Sequence, residues 1–347
     1  MFFASDNTGP VHPEIMAALN AANEGYAMGY GADALMTRVR DRIRAEFEAP
    51  EAAVYLVATG TAANSLALAT LSNPWETIFC APVAHIHEDE CNAPEFYSGG
   101  AKLTLVGADD KMTPDALRAA IAAEETRGVH GPQRGPVSIT NVTERGTVYS
   151  VSEVAALCAV AKEHGLPVHM DGARFANALV ATNASPAEMT WRAGVDALSF
   201  GGTKNGCMGV EAVVFFDPAK AWEFELRRKR GAHLFSKHRY LSAQMAAYLE
   251  GDLWLRLARQ ANAGAATLAE GLEAAGAGFA WAPQANMIFP TFPRRAHQAL
   301  HAAGAQYYVW EGALEGDDPE EALTARLVCD WSVSDEGIAR FLEALRG

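Results

Sequence analysis

The chain reads His-Met-Asp-Gly-Ala-Arg at residues 169–174 and Ser-Phe-Gly-Gly-Thr-Lys-Asn-Gly at residues 199–206, and each stretch extends an apolar run that predicts a buried strand. Ligands of open α/β sheets bind outside the carboxyl ends of the strands, so Asp171, Arg174 and Lys204 are expected to converge on one crevice. A lysine amine forms a Schiff base with pyridoxal phosphate, and an aspartate carboxylate keeps the pyridine nitrogen protonated. The two stretches therefore predict a pyridoxal phosphate site with Lys204 and Asp171 as catalytic residues.

Short apolar runs alternate with helical patterns between residues 54 and 216, which is typical of parallel strands joined by crossover helices. N-cap and first-turn signals predict that one helix begins at Thr113-Pro114 and another at Ser152-Glu153, the second ending at His164. The first apolar run covers residues 54–57, and the predicted strands cover residues 77–81, 102–106, 137–140, 166–170, 197–200 and 212–216.

The pattern changes after residue 217 to long helices, including an amphipathic stretch at residues 254–275. Two short strands at residues 287–292 and 326–330 and a final helix capped by Ser334 follow. We therefore predict an α/β fold in which helices sandwich a mostly parallel sheet, with a small α+β domain at the C-terminus. The predicted units are an N-terminal segment at residues 1–50, a large cofactor-binding domain at residues 51–250 and the small domain at residues 251–347.

The 347-residue chain has a formal net charge of −14, from 42 acidic and 28 basic residues. This balance disfavours nucleic acids and anionic membranes as partners and fits an enzyme that acts on a small molecule, so the basic run at residues 227–230 is interpreted as a solvated helix face or a subunit contact. No run is apolar enough for a signal sequence or a membrane span, and we expect the protein in the cytoplasm. The five scattered cysteines lack Cys-x-x-Cys spacing and predict neither a disulfide framework nor a zinc site.

Gly60 and Thr61 follow the apolar run at residues 54–57 and open an alanine- and leucine-rich helix. The first N–H groups of a helix lack partners within it and its dipole favours negative charge, so this helix start is a candidate cradle for the cofactor phosphate. The same pair also serves as a plain N-cap, and the sequence leaves both interpretations open.

The segment His85-Ile-His-Glu-Asp-Glu, which follows the predicted strand at residues 77–81, has three interpretations. The imidazole of His85 can stack on the cofactor ring and move a proton. Alternatively, His85 and His87 can ligate a divalent metal in a metal-dependent hydrolase. The third interpretation is a surface histidine pair on a charged loop. The lysine site favours the first.

Arg326 lies among apolar residues in the run Arg-Leu-Val-Cys-Asp, where an unpaired charge is costly. A substrate carboxylate would supply a bidentate partner for its guanidinium. The alternative is an edge-strand arginine whose charged end reaches water.

Together these motifs resemble the low-specificity L-threonine aldolases, which are fold-type I pyridoxal phosphate enzymes, as are the aromatic β-eliminating lyases. The resemblance covers nearly the whole chain. It rests on Ser5-Asp6-Asn7, Gly29-Tyr30-Gly31, Thr59-Gly60-Thr61 with Asn64, the His85 segment, the Asp171-Gly-Ala-Arg174 motif with Asn177, the Lys204 segment and Arg326-Leu-Val.

The resemblance implies a role for each matched residue. Lys204 would bind the cofactor covalently, Asp171 would pair with its ring nitrogen and His85, the third catalytic residue, would stack on its ring. The implied cofactor contacts are Gly60, Thr61, His85, Asp171, Arg174, Lys204 and Lys237, and the implied substrate contacts are Ser5, Tyr30, Asp89, Arg174 and Arg326.

The implied reaction is the reversible cleavage of L-threonine, L-allo-threonine and related β-hydroxy-α-amino acids to glycine and an aldehyde, which makes the protein a carbon–carbon lyase. We expect the base for the β-hydroxyl proton to be His85 or a water that it orients, supported by Glu88 or Asp89. The same lysine and aspartate also serve other chemistry, so a β-eliminating amino-acid lyase or an aminotransferase is the alternative.

Two positions depart from the family pattern. Many members have Thr-His-Asn-Gly where this chain has Thr143-Glu144-Arg145-Gly146, so the proton-relay role of that histidine cannot simply be transferred. In the family a neighbouring subunit usually lends an arginine to the phosphate, and the nearest match here is Lys237, with Arg239 close by. Lysine supplies the charge without the planar fork. Sites of this fold usually lie between subunits, so we expect at least a dimer, and the resemblance implies a tetramer.

Overall fold

A seven-stranded sheet forms the centre of the molecule in the computed structural model, which describes residues 1–124 and 126–346. The strands are β1 (Ala53–Val57), β2 (Glu76–Cys80), β3 (Lys102–Leu105), β4 (Gln133–Thr140), β5 (Val168–Gly172), β6 (Ala197–Gly201) and β7 (Glu211–Phe215). Their order across the sheet is β1-β7-β6-β5-β4-β2-β3. Every residue of β1, β5, β6 and β7 is buried, as expected when helices cover both faces of a sheet.

Helices connect the strands and cover the sheet. They are α1 (Pro13–Ala22), α2 (Ala34–Glu46), α3 (Gly60–Leu71), α4 (His85–Glu88), α5 (Ala93–Ser98), α6 (Pro114–Ala123), α7 (Val151–Glu163), α8 (Phe175–Thr182), α9 (Pro186–Met189), α10 (Ala221–Arg230), α11 (Arg239–Leu249), α12 (Leu253–Ala274), α13 (Arg294–Ala302) and α14 (Asp335–Arg346). None of the helices in the described part of the chain has the length and apolar character needed to cross a bilayer.

The structure confirms the predicted α/β fold and the six predicted strands of the large sheet, with ends shifted by a few residues, and the apolar run at residues 54–57 forms the seventh, β1. The cap of α7 is a correction, because Ser150 rather than Ser152 occupies the N-cap. The Ser150 hydroxyl accepts a hydrogen bond from the Glu153 N–H at 3.2 Å, and the Glu153 carboxylate accepts one from the Ser150 N–H at 2.7 Å. This reciprocal pair is a capping box, and it starts the helix earlier than predicted.

Strand β7 runs antiparallel to both of its neighbours, whereas β2 through β6 pair in parallel. The connection between β6 and β7 spans residues 202–210 and contains only one short 3-10 turn, Thr203–Asn205. A parallel return needs a crossover of a dozen or more residues, so this connection can only reverse the chain. The reversal holds Lys204 at the edge of the sheet where β5 and β6 end.

A second, antiparallel sheet lies near the C-terminus and consists of β8 (Gly278–Phe279), β9 (Met287–Ile288), β10 (Pro290–Pro293), β11 (Tyr308–Glu311) and β12 (Ala322–Val328). The strand predicted at residues 287–292 is divided into β9 and β10, and the one predicted at 326–330 begins earlier. The sequence does not predict β8 or β11, because strands of two to four residues leave too short a pattern. Ser334 caps α14 as predicted, accepting the Gly337 N–H at 3.1 Å.

Helix α12 belongs to two hydrophobic cores. Leu253 and Leu257, near its start, pack in the core of the large sheet, whereas Leu268 and Leu272 pack in the core of the small sheet. Phe3, although near the N-terminus, also lies in the small core. The division into residues 1–50, 51–250 and 251–347 stays a prediction, and its last residue, 347, is outside the described part.

Candidate active site

A cavity of about 250 Å³ lies at the carboxyl ends of β1, β4, β5 and β6. This is the crevice expected for a ligand of an open α/β sheet. Six of the predicted site residues line it: Gly60, Thr61, His85, Asp171, Arg174 and Lys204.

Asp171 lies near the end of β5 and is only 2% exposed. Its Oδ2 accepts a hydrogen bond from Asn64 Nδ2 at 2.8 Å, and its Oδ1 accepts the Ala173 N–H at 3.0 Å. Both contacts fix the carboxylate at the cavity wall. Asn64 is a buried polar side chain in an otherwise apolar part of α3, so the helix contributes directly to the site.

Lys204 is held in the turn between β6 and β7. Gly201 makes the turn possible at its start, because a Cβ there would lie 2.3 Å from the backbone oxygen of Ala173. Glu211, the first residue of β7, accepts the Gly202 N–H at 2.9 Å. The guanidinium of Arg174, followed by burial, lowers the pKa of the Lys204 amine. No carboxylate in the described part of the chain forms an ion pair with this amine, and a lowered pKa makes the neutral, nucleophilic form more accessible than in a free lysine.

His85 begins the short helix α4, and the carboxylate beside it is Glu90. The Nδ1 atom of His85 lies 2.8 Å from Glu90 Oε1, and Asn64 Nδ2 donates to the same oxygen at 2.9 Å. This hydrogen bond raises the pKa of His85. Glu88 and Asp89, the expected supports, are both exposed, and the carboxylate in contact with the imidazole is that of Glu90. The chain turns after α4, and only Glu90 points back into the interior.

His87 faces away from the cavity. Its Nδ1 bonds to the backbone oxygen of Pro82 at 2.8 Å, and the side chain is exposed. Among residues 1–124 and 126–346, no group of three His, Cys, Asp or Glu side chains could hold a metal ion. The geometry therefore gives no support to a metal-dependent hydrolase built on His85 and His87.

The start of α3 presents free N–H groups to the cavity. Thr59, and not the Gly60-Thr61 pair, is the N-cap, and its hydroxyl accepts the Ala62 N–H at 3.2 Å. The amides of Gly60 and Thr61 precede the first intrahelical hydrogen bond and line the cavity. A Cβ on Gly60 would meet no atom within 4 Å, so there is open space for an anion beside the helix start.

Two arginines lie close together behind Lys204. Asp6 accepts hydrogen bonds from Arg174 Nε at 2.6 Å and from Arg174 Nη2 at 2.9 Å, and both side chains are buried. Arg326, on β12, donates to the backbone oxygen of Ala4 at 3.1 Å. Burial, followed by the charge of Arg174, lowers the pKa of Arg326. Two guanidinium groups that repel each other are stabilised by an anion such as a carboxylate between them.

Five predicted site residues do not line this cavity: Ser5, Tyr30, Asp89, Lys237 and Arg326. The hydroxyl of Ser5 accepts the Asn7 N–H at 3.1 Å, and it is Asn7 that reaches the wall. Tyr30 is 55% exposed and its N–H donates to the backbone oxygen of Ser236 at 3.1 Å. Lys237 is also exposed. Tyr30 and Lys237 thus share one outer surface.

Three groups that line the cavity were given no role from the sequence: Asn64, Glu144 and Glu211. The sequence carries one signal for Asn64, a lone amide among alanines and leucines. Glu144 is recognisable only as a departure from a family motif, and Glu211 only once β7 is known to return to the cavity.

The wall matches the chemistry of pyridoxal phosphate. It offers an amine without an ion-pair partner, a buried carboxylate held by two hydrogen bonds, an imidazole and a helix start with free amides. These four groups come from separate strand ends, as a planar cofactor with a phosphate arm requires.

Comparison with known proteins gives consistent results. The Beta-eliminating lyase family matches residues 3–292. A low specificity L-threonine aldolase of Pseudomonas aeruginosa is 40% identical, over 99% of this chain and 96% of that protein. The solved structure of Leishmania major threonine aldolase is 28% identical, has a TM-score of 0.92 and covers 99% of this chain and 98% of that one.

The fold extends to more distant enzymes. A structure described as SPT with PLP has a TM-score of 0.73 at 17% identity, covering 100% of this chain and 86% of that one, which shows the fold alone. Because the family match and the 40% identity both span most of the sequence, the chain belongs to the beta-eliminating lyase family, in which it groups with the low-specificity L-threonine aldolases.

Proposed function

We propose that this protein is a carbon–carbon lyase that cleaves L-threonine, L-allo-threonine and related β-hydroxy-α-amino acids to glycine and an aldehyde, with pyridoxal phosphate as its cofactor. One observation carries the proposal: the Lys204 amine and the Asp171 carboxylate line one cavity from neighbouring strand ends. The aldolase reaction, rather than elimination or transamination, is favoured by the relatives that match nearly the full length.

Each group of the wall has a role in holding the cofactor. Lys204 would bind it covalently, and Asp171 would pair with the ring nitrogen. The amides of Gly60 and Thr61 would hold the phosphate, and His85 would lie against the ring. When bound, pyridoxal phosphate supplies an electron-accepting ring that stabilises the electron pair left on the substrate Cα.

The arginines bind and orient the substrate. Asp6 occupies two nitrogens of Arg174 and so fixes the plane of its guanidinium. With Arg326 approaching from β12, the pair offers two positive groups to the amino-acid carboxylate. Clamping the carboxylate fixes rotation about Cα, which sets the Cα–Cβ bond in the orientation for cleavage.

The outer surface formed by Tyr30 and Lys237 is the basis for a homo-oligomer, at least a dimer and by family likeness a tetramer. Tyr30 and Lys237 are exposed in the single chain, and neither of them lines the cavity of that chain. We propose that they complete the site of a neighbouring subunit, where the ammonium of Lys237 would approach the phosphate.

The experiment that tests the function uses purified wild type, Lys204→Ala and Lys220→Ala, the last being an exposed lysine outside the cavity. Each is mixed with pyridoxal phosphate and L-threonine, and visible absorbance and acetaldehyde are measured. We expect absorbance and aldehyde from wild type and Lys220→Ala, and no aldehyde from Lys204→Ala. Release of ammonia or a keto acid instead of aldehyde would contradict the aldolase reaction. Absence of cofactor binding would contradict the proposal that pyridoxal phosphate is the cofactor.

A mixing experiment tests the subunit arrangement. Lys204→Ala and Lys237→Ala chains are each inactive or weakened, but a mixed oligomer contains one site with both lysines intact. We expect activity to return after unfolding and refolding the two variants together. No recovery in a mixture that light scattering shows to be oligomeric would place Lys237 outside the neighbouring site.

A further inference from the structure

Glu144 is one of the acids that line the cavity, and it has no role so far. Glu144 lies in a tight turn in which the Gly146 N–H donates to the Thr143 backbone oxygen at 3.0 Å. The Thr143 hydroxyl donates to Asp110 Oδ2 at 2.7 Å, and the Thr147 hydroxyl donates to the same oxygen. Asp110 is itself buried. The turn is therefore anchored on both sides of Glu144, which fixes where its carboxyl group lies.

The two carboxyl oxygens of Glu144 have different surroundings. Oε1 accepts the backbone N–H of His85 at 2.7 Å. Oε2 is buried and has no hydrogen-bond partner among the residues that the structure describes. An unpaired buried oxygen is expensive, and at the wall of a cavity a ligand can supply the missing partner. A substrate hydroxyl in the cavity is such a partner.

The protonation equilibrium of Glu144 also suits proton transfer. Burial, followed by the charge of Asp171, raises the pKa of Glu144 to about 7. Its other charged and titratable neighbours are His85, which lowers this pKa, and Arg174, Cys80 and Tyr149, whose own pKa values respond to Glu144. An acid whose pKa lies near neutrality can both accept and return a proton.

The other candidate acceptors in the cavity are already engaged. His85 Nδ1 lies 2.8 Å from Glu90 Oε1, and this hydrogen bond to the Glu90 carboxylate raises the pKa of the imidazole. Glu211 also has its pKa raised to about 7 by burial, but its carboxylate accepts the Gly202 N–H and bonds to the Thr203 side chain. Glu144 alone of these three combines an unpaired oxygen with the appropriate pKa.

We propose that Glu144 is the proton acceptor for the β-hydroxyl group of the substrate, an inference that rests on the proposed function. The hydroxyl proton moves to the carboxylate, and the O–H electron pair becomes the second bond of the aldehyde carbonyl. The Cα–Cβ bond breaks and its electron pair stays with Cα. Cα then takes up one proton to become the methylene group of glycine, so the sum of the steps neither consumes nor releases a proton.

The first test compares two reactions of the Glu144→Gln holoenzyme. Cleavage of L-threonine requires a β-hydroxyl acceptor, whereas exchange of the glycine Cα proton with D₂O does not. Removal of a general base lowers a rate by about 10²–10⁴-fold. We expect this loss in acetaldehyde release, with glycine exchange and cofactor uptake close to wild type. Equal loss of both reactions, or retention of both, would overturn the assignment. A wild type that exchanges glycine but releases no aldehyde would instead contradict the proposed function.

The second test uses pH. For wild type, kcat/KM for L-threonine should fall as the pH drops below about 7, where Glu144 becomes protonated. Glu144→Asp keeps a carboxylate, so its kcat/KM should be lower than that of wild type but should still fall at acidic pH. In Glu144→Gln this fall at acidic pH should be lost. An unchanged acid limb in Glu144→Gln would assign the titration to another group.

The third test needs neither cofactor nor substrate. The pKa of Glu144 is higher in the folded chain than the ordinary value of 4.5, so its ionised form opposes folding increasingly as the pH rises from about 4.5 to about 7. Glu144→Gln removes this penalty. We expect the Tm of the full-length, cofactor-free chain to rise by about 5 °C at pH 8 and by much less at pH 5. A shift of equal size at both pH values would show that Glu144 has an ordinary pKa.

Discussion

The seven-stranded and five-stranded sheets differ in burial and in what each brings to the cavity. Strands β5 and β6 are buried along their whole length; Asp171 lies near the end of β5, and the chain that follows the two strands carries Arg174 and Lys204. Strand β12 of the small sheet is partly exposed and contributes one guanidinium, that of Arg326. The large sheet supplies the reacting groups, and the small sheet supplies a group proposed to bind the substrate.

Strand direction explains the difference. Parallel strands bring all their carboxyl ends to one edge, so residues distant in sequence meet there. Antiparallel strands alternate in direction, and their ends are shared between two edges. We therefore expect changes at the large-sheet edge to slow the chemical step, and changes in the small sheet to weaken binding.

The largest expected effect belongs to Asp6, which joins the two regions. Its carboxylate accepts hydrogen bonds from Arg174 beside the large sheet and from Asn286 beside the small one. Asp6→Asn leaves a buried guanidinium without its counter-charge, which costs about 3–5 kcal/mol of folding free energy. Urea unfolding at pH 7 measures this loss. Asp41→Asn, on an exposed face of α2, is the control and should change little.

The same variant makes a prediction about pH. Burial, the largest single influence, would raise the pKa of Asp6, but the charges of Arg174 and Lys204 and the hydrogen bonds from Arg174 and Asn286 together hold the pKa below its usual range. A lowered pKa stabilises the fold above the ordinary value near 3.8 and ceases to do so as the pH falls through the lowered value. The stability difference between wild type and Asp6→Asn should therefore shrink in acid. A constant difference would show that the carboxylate charge does not matter.

Asp171→Asn tests the chemical role of the large-sheet edge. The amide retains the size of the side chain but removes the charge that would hold a protonated ring nitrogen. Loss of one fixed electrostatic partner in a site lowers kcat by about 10²–10³-fold. We expect that loss in acetaldehyde release, with a small change in KM and in Tm. A change in KM alone would show that Asp171 does not act in the chemical step.

The large-sheet edge was largely predictable from sequence because its signals are local. An apolar run followed by a polar motif predicts both a strand and the place where the polar groups emerge, and this holds for Asp171 and Lys204. The antiparallel direction of β7 departs from the predicted run of parallel strands, because the nine residues before it are too few for a crossover. The short strands β8 and β11 carry no comparable signal.

Side-chain direction after a turn was not predictable. Glu88, Asp89 and Glu90 are consecutive acids, and only the path of the chain after α4 decides that Glu90 meets His85. The pairing of Asp6 with Arg174 joins residues 168 positions apart, and no local pattern encodes it. The unpaired oxygen of Glu144 is likewise a property of packing.

Arg326→Gln tests the contribution of the small sheet. A hydrogen-bonded charge pair is worth about 1.5–3 kcal/mol, so we expect KM for L-threonine to rise by about 10- to 100-fold with kcat within a few-fold of wild type. Arg295→Gln, an exposed arginine on α13, is the matched control. A loss confined to kcat would place Arg326 in the chemical step and weaken the contrast between the sheets.

The smallest expected effect is that of removing a helix cap, and it tests whether the large-sheet and small-sheet regions unfold together. Ser150 caps α7 beside the large sheet and Ser334 caps α14 beside the small one. Replacing either by alanine costs about 1 kcal/mol. Because α12 packs in both cores, we expect one cooperative urea transition and similar shifts of its midpoint in Ser150→Ala and Ser334→Ala. Two transitions, with Ser334→Ala moving only one of them, would show instead that the small sheet and its helices form an independently unfolding domain, and would locate its boundary within α12.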